Sequence, residues 1–190
     1  MKKLFLIFFV FSSISFAQSE TVAELDGLFE KLKKTSNPMS ARKIEGKIWK
    51  LWTTHPTQDS LTSLLAKGSE YMSQNQLTSA HNVFSKAIEL DPDWAEAWNK
   101  RATVLYLMGN LELSQNDIDM VLSLEKRHFG ALSGQGLVQT GLKNYQKAID
   151  SYIEAHKVYP AMETPLVMIC LLYTSPSPRD VEESRMPSSA

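Results

Sequence analysis

Apolar residues recur along this chain at intervals of three and four, the spacing that gathers them on one face of an α-helix. Leu64, Leu65, Gly68, Tyr71 and Met72 make one such stripe, and Leu77, Ala80, Phe84, Ala87, Ile88 and Leu90 make a second. Between them lies Asn75-Gln76, a turn signal, and after them Asp91-Pro92-Asp93, where proline disfavours helical geometry in the residue before it. The pattern predicts a pair of antiparallel helices, and it returns twice. Trp98, Ala102 and Leu105, then Gly109-Asn110, then Leu111, Ser114, Ile118 and Val121 form the second pair; Leu132 and Gly136, then Tyr145, Ala148, Tyr152 and Ala155, form the third. Upstream, Leu25, Leu28, Phe29 and Leu32 keep helical spacing, as do Ile44, Ile48, Leu51 and Trp52, with Asn37-Pro38 between the two runs and His55-Pro56 after them.

The three pairs repeat at an offset of 34 residues. It relates Leu64, Trp98 and Leu132; Gly68, Ala102 and Gly136; Leu77, Leu111 and Tyr145; and Phe84, Ile118 and Tyr152, while Pro92 and Pro160 close the first and third copies. The period and the order of small, aromatic and proline residues resemble the tetratricopeptide repeat (TPR). The resemblance implies an all-α fold, a right-handed α-solenoid of antiparallel helix pairs, with repeats at residues 61–94, 95–128 and 129–162. Residues 18–60 are expected to be an N-terminal helical cap or a degenerate repeat. Asp93 is expected to cap the helix of the second repeat, with Glu96 completing a box-like arrangement. Lys126 stands where the other copies have proline, which weakens that break, and Gln139 replaces the Tyr71 of the first copy.

Both chain ends change the picture. Lys2 and Lys3, the apolar run from Leu4 to Phe11, and Ser15-Phe16-Ala17 read as a secretory signal over residues 1–17, cut before Gln18. The run is too short for a bilayer span, which needs about 20 residues. From Cys170 the order Cys170-Leu171-Leu172-Tyr173-Thr174-Ser175-Pro176-Ser177-Pro178-Arg179-Asp180 resembles the translation of a sequencing adapter, and Ser184 to Ala190 resembles its outer primer. On that reading residues 170–190 are an adapter-derived tail and residues 163–169 the start of a truncated helix, which should expose Leu166, Val167 and Ile169.

With the tail set aside the chain keeps no cysteine, so disulfide and thiolate chemistry drop out. A cysteine-free secreted chain is most simply a periplasmic protein of a Gram-negative bacterium. Setting aside Lys2, Lys3, Arg179 and Arg185 leaves 16 of 20 cations, and setting aside Asp180, Glu182 and Glu183 leaves 18 of 21 anions. That balance argues against nucleic acid as a partner. Arg42, Lys43, Lys47 and Lys50 cluster on the upstream helix. A solvated face is the simpler account of them, and contact with a membrane surface or an acidic partner the sharper one.

His55, His81, His128 and His156 are not spaced as metal ligands, and Gly130 to Gly136 fits neither a phosphate loop nor a nucleophile elbow. No catalytic residue, cofactor, metal or small-molecule substrate is expected. Trp49, Trp52, Trp94 and Trp98 read as packing residues rather than a ligand cage. The resemblance implies a concave groove lined by the first helix of each repeat: Leu65, Ser69 and Met72; Asn99, Thr103 and Tyr106; Ser133, Leu137 and Thr140. Some family members clamp a peptide carboxylate there with Lys, Arg and Asn, and this chain has only Asn99 of that set. The expected function is therefore a non-catalytic periplasmic scaffold or adaptor that binds a protein or peptide in its groove. The alternative is the N-terminal scaffold of a longer envelope-assembly factor or enzyme.

Overall fold

A computed structural model describes residues 20–174; the expected signal over residues 1–17 and all but residues 170–174 of the expected adapter-derived tail lie outside the described residues. Every regular element among the described residues is an α-helix. α1 occupies residues 20–34. It is followed by α2 (Pro38–Thr53), α3 (Asp59–Ser73), α4 (Leu77–Leu90), α5 (Ala95–Leu107), α6 (Leu111–Leu124), α7 (Phe129–Gly141), α8 (Tyr145–Val158) and α9 (Glu163–Thr174). α3–α4, α5–α6 and α7–α8 are the three repeats, and each stacks on the next to give the expected solenoid.

The turns inside the repeats obey the same register. Asn75, Gly109 and Lys143, 34 apart, all take positive φ, at 58°, 79° and 62°. Each lets the following amide reach back to the helix it leaves: Gln76 N–H to Tyr71 O at 2.8 Å, Asn110 to Leu105 at 2.9 Å and Asn144 to Gln139 at 2.8 Å. Gln139, the departure from the pattern, is buried and bonds Gln115 at 2.7 Å and Asn144 at 2.9 Å, so it ties this turn to α6.

The small residue of each first helix is explained by what crosses it. A Cβ on Gly68 would overlap the ring of Phe84, and one on Gly136 would overlap the ring of Tyr152. In the second repeat the crossing residue is Ile118, and Ala102 is accommodated beside it in one buried cluster.

Two local expectations are corrected. α5 begins at Ala95 with Trp94 as its N-cap, so Asp93 does not cap it and Glu96 falls inside the first turn. Asp93 instead donates its amide to Asp91 Oδ1 at 3.0 Å, and Glu96 is buried. After α6, where proline is missing, Glu125 Oε1 accepts from the Arg127 amide at 2.9 Å. This is the bond Asp91 makes one repeat earlier, and it turns the chain without proline.

The N-terminal pair is not stacked on the first repeat as a cap. It lies across the edge formed by the inter-repeat loops, with α2 running against the order of the repeats. At its C-terminal end Trp52 O accepts from Trp94 Nε1 at 2.9 Å. In its middle Trp49 and Trp52 pack on His128 and Phe129, with Trp52 stacked on the His128 ring at 3.9 Å. Further back Glu45 accepts from the Tyr159 hydroxyl at 3.1 Å. Three successive repeat boundaries are thus joined by one helix. α1 backs it through Leu25, Leu28, Phe29 and Leu32, and Asp26 pairs with Arg127 at 2.6 Å.

α9 packs on α8 and runs through Cys170 to Thr174, so no element boundary falls at Ile169. Leu166 and Val167 are exposed as expected, whereas Ile169 is half-buried.

Candidate functional site

α3, α5 and α7 line the inner side of the array. Leu65, Asn99 and Ser133, nearest the loop edge, are all buried. Further along, Ser69 is half-buried while Thr103 and Leu137 are exposed, and one turn beyond, Met72, Tyr106 and Thr140 are half-buried. The hydroxyls of Ser69, Thr103 and Thr140 each donate to the carbonyl four residues back, at 2.9, 3.0 and 2.7 Å. They therefore face a ligand as hydrogen-bond acceptors.

The loop-edge half is closed by α2. Trp49 Cη2 lies where a Cβ on Gly130 would stand within 2.7 Å, and Lys100 Nζ sits 5.8 Å from a Trp49 ring centroid. Beneath is a buried polar network that the spacing of the histidines did not reveal. His128 Nδ1 accepts from the Ala131 amide at 3.1 Å, capping α7, so the proton of the neutral ring is on Nε2, which donates to Glu96 Oε2 at 3.0 Å. Asn99 Nδ2 donates to the same oxygen at 3.0 Å, and the Lys100 ammonium is 3.3 Å from Oε1. His55 repeats the device one boundary earlier: it accepts from the Gln58 amide at 3.0 Å and donates to Asp91 Oδ2 at 2.7 Å. His128 thus caps α7, and His55 holds the loop that leads into α3. Among the described residues no cluster of three His, Cys, Asp or Glu could hold a metal ion.

Between α5 and α7 a small cleft of about 70 Å³ stays open. Asn99, Thr103, Tyr106 and Leu137 line it together; Leu65, Ser69, Met72, Ser133 and Thr140 do not. Ala102, Ile118, Ala131 and Val138 give it apolar walls. Gly134 also lines it and differs from Gly68 and Gly136, because a Cβ there would meet only Ile118 Cδ1, at an ordinary 3.8 Å. A glycine inside a helix costs about 1 kcal/mol relative to alanine. Helix crossing does not require Gly134, and its absent side chain is the space of the cleft. Asn99, the one expected carboxylate-clamp residue, is drawn back onto Glu96 and presents no free cationic partner.

Paired helices at a fixed period, with a concave face partly filled from within, define a helical-repeat scaffold. The pattern of the TPR repeat matches residues 68–109. A TPR repeat-containing protein of Rhizobium etli is 33% identical over 156 residues, covering 82% of this chain and 76% of its own. The chain belongs to the TPR repeat family. Its fold is shared with the first TPR of Spaghetti (RPAP3) bound to the HSP90 peptide SRMEEVD, with a TM-score of 0.59 at 17% identity over 60% of this chain and 91% of that one. It is shared also with the Yersinia enterocolitica type III secretion chaperone SycD in complex with a peptide of the translocator YopD, with a TM-score of 0.58 at 13% identity over 62% and 95%.

Proposed function

We propose that this protein is a non-catalytic scaffold that binds a segment of another polypeptide along α5 and α7. The observation that carries this reading is the cleft, open to solvent and lined by Thr103, Tyr106 and Leu137, in a face whose loop-edge half is closed by α2. Peptide complexes of proteins sharing the fold support it. A photo-crosslinking residue at position 103 should capture a partner in cells that produce the protein, and the same residue at Asn116, exposed on α6, should not. Adducts at position 116 with none at position 103 would remove the groove from consideration.

We further place the protein in the periplasm, on the strength of Lys2, Lys3, the apolar run to Phe11 and the small residues before Gln18. Fractionation of a Gram-negative host should recover a chain whose first residue by mass spectrometry is Gln18, and a cytoplasmic chain beginning at Met1 would refute the assignment.

A further inference from the structure

We infer that the cleft between α5 and α7 is a pocket for one aliphatic side chain from an uncharged, internal stretch of the bound polypeptide, and that Gly134 sets its size. The inference rests on the groove reading above and narrows it to one chemistry.

The cleft has no charged lining residue. Both cations of α5 are engaged elsewhere: Lys100 with Glu96 at 3.3 Å, and Arg101 with both oxygens of Asp117 at 2.7 and 2.8 Å. A carboxylate entering the cleft would lose water and find no counter-ion, which is unfavourable in a partly desolvated site. Ser114, the hydroxyl on the cleft wall, donates to Ala102 O at 2.8 Å. The walls therefore match an apolar group, and the donors and acceptors at the rim match main-chain amides on either side of it.

Register equivalence sets this pocket apart from the corresponding places in the other repeats. The positions equivalent to Gly134 are Ala66 and Lys100, which carry side chains. Only in the third repeat does the first helix withdraw a side chain without a neighbouring ring taking up the space, as Phe84 does at Gly68 and Tyr152 at Gly136.

The test is titration of the isotope-labelled full chain, followed by amide NMR, with Gly/Ser nonapeptides capped at both ends. Their central residue is Leu, Ser or Glu; a fourth peptide ends in Leu with a free carboxylate. The central-Leu peptide should shift Thr103, Gly134 and Leu137 and bind on the order of tenfold tighter than the Ser form, the effect of burying a branched aliphatic side chain. The Glu form and the free carboxylate should bind no better than Ser. Gly134→Leu should abolish the preference for Leu, and the milder Gly134→Ala, which favours the helix, should reduce it with the spectrum otherwise intact. Equal affinity for Leu and Ser, or a preference unaltered by both variants, overturns the inference. Shifts in α5 and α7 that are the same with all four peptides overturn it while leaving the groove reading in place, and no shift in α5 or α7 with any peptide overturns both.

Discussion

Lys143 holds a left-handed backbone conformation that its register partners Asn75 and Gly109 reach more easily. An L-residue pays roughly 1–2 kcal/mol there, and glycine returns about half of that as unfolded-state entropy. Lys143→Gly should therefore raise stability by about 0.5–1 kcal/mol, read as a shift in the urea midpoint at constant slope. Gly136→Ala should move the other way, by about 1–3 kcal/mol, because the Tyr152 ring must be displaced in a packed crossing. The same substitution at Gly134 meets no such obstacle, so comparing the two variants separates a packing glycine from a cavity glycine. The sequence showed that Gly68 and Gly136 were needed, since residues 34 apart kept small side chains where helices cross. It could not show that Gly134 was different in kind, because that depends on the position of Ile118, a neighbour on another helix. Glu96 was misread for a related reason: a shift of one residue in the helix start turned a surface cap into a buried acceptor for His128 and Asn99.

At the scale of elements, the helix pairs and their turns were legible because their signals are local and occur three times. The course of α2 was not. Trp49 and Trp52 meet His128 and Phe129 across almost 80 residues of sequence, and helical periodicity says which face is buried but not against what. The available signal was composition: two tryptophans one turn apart are more apolar aromatic surface than a terminal cap needs. Trp52→Ala should cost about 3–5 kcal/mol, as other buried tryptophan truncations do. The informative readout is hydrogen exchange. If α2 holds the repeat boundaries, amides in α7 should lose protection along with those of α2, and loss confined to α1 and α2 would show that the pair is an appendage.

Taken as a whole molecule, the protein joins its third repeat boundary to α2 through the Tyr159 phenol and the apolar residues packed around it, Val158, Ala161 and Met162. Burial, and then the nearby Glu45 carboxylate, push the Tyr159 pKa from 10.0 up to about 12. A raised pKa on a group that is neutral when protonated gives stability that is intact below pH 10 and declines as pH rises from about 10 toward 12, where the unfolded chain ionises first. Thermal melts across that window should show this decline, and Tyr159→Phe should reduce it, leaving the part due to Tyr152, whose pKa burial also raises. Arrays of this architecture ordinarily gain or lose whole repeats without consequence for the rest, since each unit meets only its neighbours. Here α2 touches consecutive boundaries in turn, Trp52 that of Trp94, Trp49 and Trp52 that of His128, and Glu45 that of Tyr159. An inserted or deleted copy would carry Tyr159 away from Glu45 while leaving Trp94 under Trp52. The helix acts as a gauge: it holds the repeats it touches in one spacing and one order.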